Sequence, residues 1–148
     1  MLGRKVPDFS IQATGDAMFR LSDRKGHPVV LYFYPKDNTS GCTKEACSFQ
    51  ESFSALKNKK AIVLGVSADS ASSHAKFATK YSLSFLLLSD EKKEVQKTYG
   101  VWKEKSMYGR KYMGIERTTF IIDEDGKIAQ IFSKVKVDGH AEEVLAAL

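Results

Sequence analysis

The chain has 148 residues, 43% of them hydrophobic and 28% charged, with a formal net charge of +5. That size suits one globular domain, residues 1–148, and neither a disordered nor a fibrous chain. No apolar run approaches the roughly 20 residues that span a bilayer, and the lysines are scattered among acidic residues rather than gathered in one stripe, so neither a membrane nor a nucleic acid is expected as partner.

Phe9 to Ala13 alternates apolar and polar residues, Thr14-Gly15-Asp16 has turn composition, and Ala17 to Leu21 alternates again. This predicts an N-terminal β-hairpin. Ser22 to Pro28 reads as a loop. Val29 to Tyr34 is apolar throughout, as in a strand covered on both faces. Pro35 ends it, and Asp37, Asn38, Ser40 and Gly41 form a short turn-rich loop. Thr43 to Leu56 places Ala46, Phe49, Phe53 and Leu56 on one helical face. Ala61 to Val66 predicts a second buried strand, Ala75 to Tyr81 a helix, and Phe85 to Leu88 a third strand. Ser89 or Asp90 can cap a helix from Glu91 to Tyr99. Gly100 to Gly114 reads as a loop packed on the body through Trp102, Tyr108 and Tyr112. Thr118 to Ile122 and Ile128 to Phe132 flank an Asp123-Glu124-Asp125-Gly126 turn, and Asp138 or Gly139 opens a last helix. Alternating strands and helices imply a parallel sheet core, to which the last hairpin adds antiparallel strands. The expected class is α/β: a thioredoxin-like fold with a mixed central sheet flanked by helices.

The chemistry gathers at Cys42, at the start of the first helix, with the only other cysteine, Cys47, five positions on. A thiolate, not a thiol, is the nucleophile. A helix N-terminus favours negative charge through its unpaired N–H groups and its dipole. Thr39 places a hydroxyl three residues before the thiol, and Pro35 offers a rigid apolar wall. Five residues of helix give a rise of about 7.5 Å and a rotation of about 140°. A disulfide needs Cα atoms within roughly 7 Å and side chains that face each other. Cys42 and Cys47 therefore join only if the first turns unwind. Read alone, Cys47 is a buried helix residue beside Phe49; beside a reactive Cys42 that reading and the redox one stand even. Metal binding is the weaker alternative, because two cysteines fall short of the four ligands of a closed zinc site. His27, His74 and His140 are not patterned with the cysteines and read as surface or satisfied histidines.

Pro35-x-x-x-Thr39-x-x-Cys42 resembles the active-site signature of the peroxiredoxins. Tyr34-Pro35-Lys36-Asp37, Gly41-Cys42-Thr43 and Glu45-Ala46-Cys47 are similar to the bacterioferritin comigratory protein (Q-type) subfamily. Pro7-Asp8-Phe9 and the run Arg117 to Asp123 extend the likeness over nearly the whole chain. Gln50-Glu51 departs from it, standing where the subfamily often has Arg-Asp. The resemblance implies a thioredoxin-like fold and the reduction of hydrogen peroxide and organic hydroperoxides. It implies that Cys42 is the peroxidatic cysteine, Cys47 the resolving cysteine, Thr39 and Pro35 the pocket, Arg117 the cation beside the thiolate, and Glu45 the residue that orients it. It implies thioredoxin as reductant.

The expected activity is thus a thiol peroxidase with no metal or organic cofactor. Its cycle runs through a Cys42 sulfenic acid and an intrachain Cys42–Cys47 disulfide. The expected compartment is the cytoplasm, since Met1 to Pro7 lacks the apolar core of a signal peptide. A monomer is expected, because both thiols lie in one chain, with a weak dimer as the alternative. Two rival readings use the same thiols. One is a thiol–disulfide oxidoreductase, which the missing Cys-x-x-Cys argues against. The other is a redox sensor or holdase, which would oxidise once rather than cycle.

Overall fold

Residues 29–33 are buried along their whole length, which is why their sequence shows no alternation. In the computed structural model, which describes residues 2–15 and 17–148, they form one strand of a seven-stranded sheet. The chain runs β1 (Ser10–Ala13), β2 (Ala17–Arg20), a 3-10 turn (Leu21–Arg24), β3 (Val29–Phe33), α1 (Ser40–Glu51), α2 (Phe53–Asn58) and β4 (Ile62–Ser67). It continues with α3 (Ala71–Lys80), β5 (Leu86–Ser89), α4 (Glu94–Thr98), β6 (Trp102–Met107), β7 (Arg110–Ile115), β8 (Thr118–Ile122), β9 (Ile128–Phe132) and α5 (His140–Ala147).

The sheet order is β2-β1-β5-β4-β3-β8-β9. β3, β4 and β5 are parallel, whereas β1, β8 and β9 join antiparallel. The sheet is therefore mixed, as the alternation of elements predicted. Period-two geometry sends alternate β3 residues to opposite faces. Val29, Leu31 and Phe33 enter one apolar cluster with Leu64, Tyr99 and Phe120. Val30 and Tyr32 enter the other with Cys42, Phe49, Leu56, Phe77 and Val144, so α1, α2, α3 and α5 cover that face. Gly65 in β4 leaves room for the Tyr32 ring: a Cβ there would lie 2.9 Å from its hydroxyl and from Leu87.

Four expectations change. Gly100 to Gly114 is not a loop: β6 and β7 pair as a separate antiparallel hairpin, in register from Trp102↔Ile115 to Met107↔Arg110. Most of its side chains are exposed on both faces, so no apolar alternation marks it. Its two-residue turn, Tyr108-Gly109, takes positive φ at both positions with a tyrosine where asparagine or aspartate is usual. The first helix is two helices, because Ser52 breaks it, and it begins at Ser40, so Cys42 is its third residue rather than its opener. The fourth helix is only Glu94–Thr98. Asp90 caps it from across a turn, accepting from Val95 N–H (3.2 Å) and Gln96 N–H (2.8 Å). The loop after β2 contains the 3-10 turn. Of the expected Thr14-Gly15-Asp16 turn, Asp16 lies outside the described residues, as does Met1.

Candidate active site

β3 runs on into Tyr34, whose N–H donates to Val66 O (3.0 Å), and the exposed Pro35 ends the pairing. The connection to α1 is five residues, 35–39, held from within. Asn38 adopts positive φ, and the Thr39 hydroxyl donates to Lys36 O (2.9 Å). Thr39 is the N-cap residue of α1, and its carbonyl accepts the first helical bond from Thr43 N–H (2.8 Å). The proton of the Thr39 hydroxyl is therefore committed to the loop.

Cys42 is 2% exposed and sits in the first turn of α1. That turn, Ser40-Gly41-Cys42-Thr43, is uncharged, and its N–H groups and dipole favour an anion at Sγ. Arg117, in the two-residue link between β7 and β8, reaches the same point. Its Nη2 donates to Cys42 Sγ (3.4 Å) and its Nη1 to Glu45 Oε1 (2.5 Å). Gly41 gives the guanidinium its room, since a Cβ there would stand 3.4 Å from Nη2. Burial works against the charge on Arg117, but Glu45 and Cys42 outweigh it and raise its pKa. Burial pushes the Glu45 carboxyl up to about 7, with Arg117 pulling the other way. Its two oxygens differ: Oε1 accepts from Arg117, while Oε2 is buried with no hydrogen-bond partner among the described residues.

Cys47 is half-buried in the same helix, and both cysteines are free. Burial and then the nearby Glu51 push its thiol up. The structure thus brings Cys42, Arg117 and Glu45 together, keeps Cys47 on the same helix, and places Pro35 and Thr39 in the loop that leads to the thiol.

A group that sequence reasoning missed lies behind this loop. Asp37 is buried. Its Oδ1 accepts from Tyr34 OH (2.6 Å), and its Oδ2 accepts from Ser73 OH (2.8 Å) and lies 2.7 Å from His74 Nδ1. Ligand-type atoms of Asp37, Asp69 and His74 lie within 4.8 Å of one another. They are already engaged, since Asp69 Oδ2 accepts from Asp37 N–H and Ser67 OH, and His74 Nε2 lies 2.9 Å from Leu88 O. The set therefore reads as a hydrogen-bond network rather than a metal site. His74 and His140 are buried and bonded, as expected of satisfied histidines, whereas His27 is exposed.

Fold and site together define a thioredoxin-like protein whose chemistry is that of a cysteine. The AhpC/TSA family model matches residues 2–131. A relative from Coxiella burnetii, a putative peroxiredoxin bcp, is 50% identical over 147 residues, covering 99% of this chain and 97% of its own. Peroxiredoxin Bcp of Bacillus subtilis is 45% identical and covers 99% of this chain and 94% of its own. The structure resembles PrxQ of Xylella fastidiosa, solved as a cysteine-to-serine variant (TM-score 0.94, 39% identity, 99% and 93% of the two chains). It also resembles the bacterioferritin comigratory protein of Xanthomonas campestris, solved as a trapped intermediate/ligand complex in work on its alkyl peroxide reduction (TM-score 0.91, 41% identity, 94% and 88%). The chain belongs to the AhpC/TSA family, as a peroxiredoxin of the Bcp (Q) type. It is a thiol peroxidase, which reduces peroxide at the expense of a reductant.

Proposed function

We propose that Cys42 attacks the terminal oxygen of hydrogen peroxide or an organic hydroperoxide. The observation that carries this is the Arg117 Nη2–Cys42 Sγ contact at 3.4 Å in the first turn of α1. The thiolate displaces water or an alcohol and becomes sulfenic acid. The guanidinium stabilises both the thiolate and the charge that gathers as the O–O bond breaks. Glu45 holds the fork in place from its other side. Pro35 and Thr39 shape the approach, Thr39 by fixing the loop through Lys36 O.

Cys47 then attacks the Cys42 sulfenic sulfur, expels water and closes an intrachain disulfide. Both residues lie in α1, so the step needs its first turns to unwind. Thioredoxin or a similar dithiol returns the pair to the thiol state. We read residues 1–148 as one domain, since strands from both halves of the chain share one sheet, and as a monomer, since both thiols of the cycle lie in one chain. Two free cysteines, both used in the cycle, suit the reducing cytoplasm. The natural relatives bear peroxiredoxin names, which fits this cycle.

A peroxidase assay coupled to thioredoxin and its reductase tests the reading. Cys42→Ser is expected to abolish turnover, and substantial activity in that variant would overturn the assignment. Cys47→Ser is expected to oxidise once at Cys42 and then stall or over-oxidise. Unchanged turnover there would remove Cys47 from the role of resolver.

A further inference from the structure

We propose that Asp37 and His74 act as positioning residues: they clamp the loop before α1 onto α3, and the grip of this clamp sets whether oxidised Cys42 is resolved by Cys47 or over-oxidised. The inference rests on the roles given above to the two thiols.

The bonds converge on one carboxylate. Asp37 Oδ1 accepts from Tyr34 OH at 2.6 Å, and Oδ2 accepts from Ser73 OH at 2.8 Å. His74 Nε2 faces the Leu88 carbonyl at 2.9 Å, so that nitrogen must donate. Nδ1 and Asp37 Oδ2, 2.7 Å apart, then share a proton between them. A buried carboxylate is tolerable only with such partners, and removing one of them leaves a group that favours any open arrangement where water can reach it. The next layer extends the hold. Asp37 N–H donates to Asp69 Oδ2 (2.8 Å), and Asn38 Oδ1 accepts from Tyr81 OH (3.2 Å) and Lys80 Nζ (3.3 Å). Both ends of α3 and the turn before it thus grip residues 37 and 38. Beyond Asn38 the loop's side-chain tether is a local one, Thr39 to Lys36 O, and the helix with Cys42 begins at Ser40. The gripped pair thus anchors Thr39, the N-cap residue of the helix that carries Cys42.

Two reactions compete for the Cys42 sulfenic acid. In one, the Cys47 sulfur attacks it, an S–S bond forms, the S–O bond breaks and water leaves; this needs α1 unwound. In the other, the sulfenate attacks a second hydroperoxide, takes one oxygen to give sulfinic acid and releases water or alcohol. This second path proceeds with the helix wound and Arg117 in place. A tight clamp holds the first turn of α1 wound, speeds the first attack on peroxide and favours sulfinic acid at high peroxide. A loosened clamp does the reverse.

Mass spectrometry of the protein after hydrogen peroxide pulses, with stopped-flow measurement of the first oxidation, reads both effects. For His74→Leu the first oxidation should slow about tenfold and the ratio of sulfinic acid to disulfide should fall by a similar factor, the scale of one charge-assisted hydrogen bond. His74→Gln, whose amide can donate to Asp37, should recover most of both. Ile128→Ala, which opens the core on the opposite face of the sheet, should lower the melting temperature and leave the ratio unchanged. Should His74→Leu fail to fold, Ser73→Ala removes a single donor and should shift the ratio in the same direction, about threefold. An unchanged ratio in the folded clamp variant, or an equal shift in Ile128→Ala, overturns the clamp. Wild-type protein that forms neither product at Cys42 overturns the thiol assignment instead.

Discussion

Arg117 serves two acceptors with one planar group, Cys42 Sγ through Nη2 and Glu45 Oε1 through Nη1. A lysine keeps the charge but has no fork to hold both at once. Arg117→Lys should therefore lower the second-order rate constant with peroxide about 10²-fold, the scale of one lost transition-state donor. Stopped-flow oxidation at fixed pH checks this, and a change of a few fold would show that charge alone suffices. Glu45 adds a pH dependence to stability. Its carboxyl is raised by burial from 4.5 to about 7, so the fold prefers it protonated. That contribution is complete below 4.5 and is lost as pH rises toward about 7. Glu45→Gln stays neutral, so its melting temperature should lack this decline; parallel curves for variant and wild type would contradict it. Cys42 drew notice from sequence by its place at a helix start, while Arg117, 75 residues away, came only through family resemblance. Asp37 went unread because His74 and Ser73 lie 37 and 36 residues on. A buried carboxylate in a turn-rich loop looks like any solvated aspartate until its partners are known.

Among the elements, α1 and α2 matter most, because one helix of the sequence reading is two. Ser52 ends the first and caps the second with its carbonyl, which accepts from Leu56 N–H at 3.0 Å. Leu56 is fully buried, so α2 has its own anchor. Unwinding of α1 should therefore stop at Ser52. Amide exchange of the disulfide form should show protection lost from Ser40 to Cys47 and kept in α2. Loss through Asn58 would mean that the two helices open as one unit. Apolar periodicity could not reveal the break, since Ala46, Phe49 and Leu56 face the same core on either side of it. The β6–β7 hairpin was hidden for the opposite reason. It stands off the main sheet with solvent on both faces, so hydrophobic patterning had nothing to mark.

At the scale of the molecule, the site exists only because distant segments meet. β8 pairs antiparallel with β3, and Arg117 immediately precedes β8 just as Cys42 follows β3. The register Phe33↔Thr118 puts the end of one strand beside the start of the other, so the cation and the thiol arrive at the same end of this strand pair. Strand identity and the mixed sheet were legible in sequence through long apolar runs. Strand order was not, because the β1–β2 hairpin joins β5 rather than β3, the next strand in sequence, a choice made by the packed faces as a whole.

Cys42 and Cys47 share a single helix of twelve residues. On the proposed cycle, the molecularity of resolution follows from that placement. Sulfenic acid and thiol travel together at an effective concentration that the cell does not set. The rate of disulfide closure should stay constant under serial dilution of the oxidised protein, and a rate that falls with dilution would point to a second copy as the thiol donor. A scarce enzyme of this design closes its disulfide as fast as an abundant one, and only its encounters with peroxide and with the reductant depend on how much of it there is.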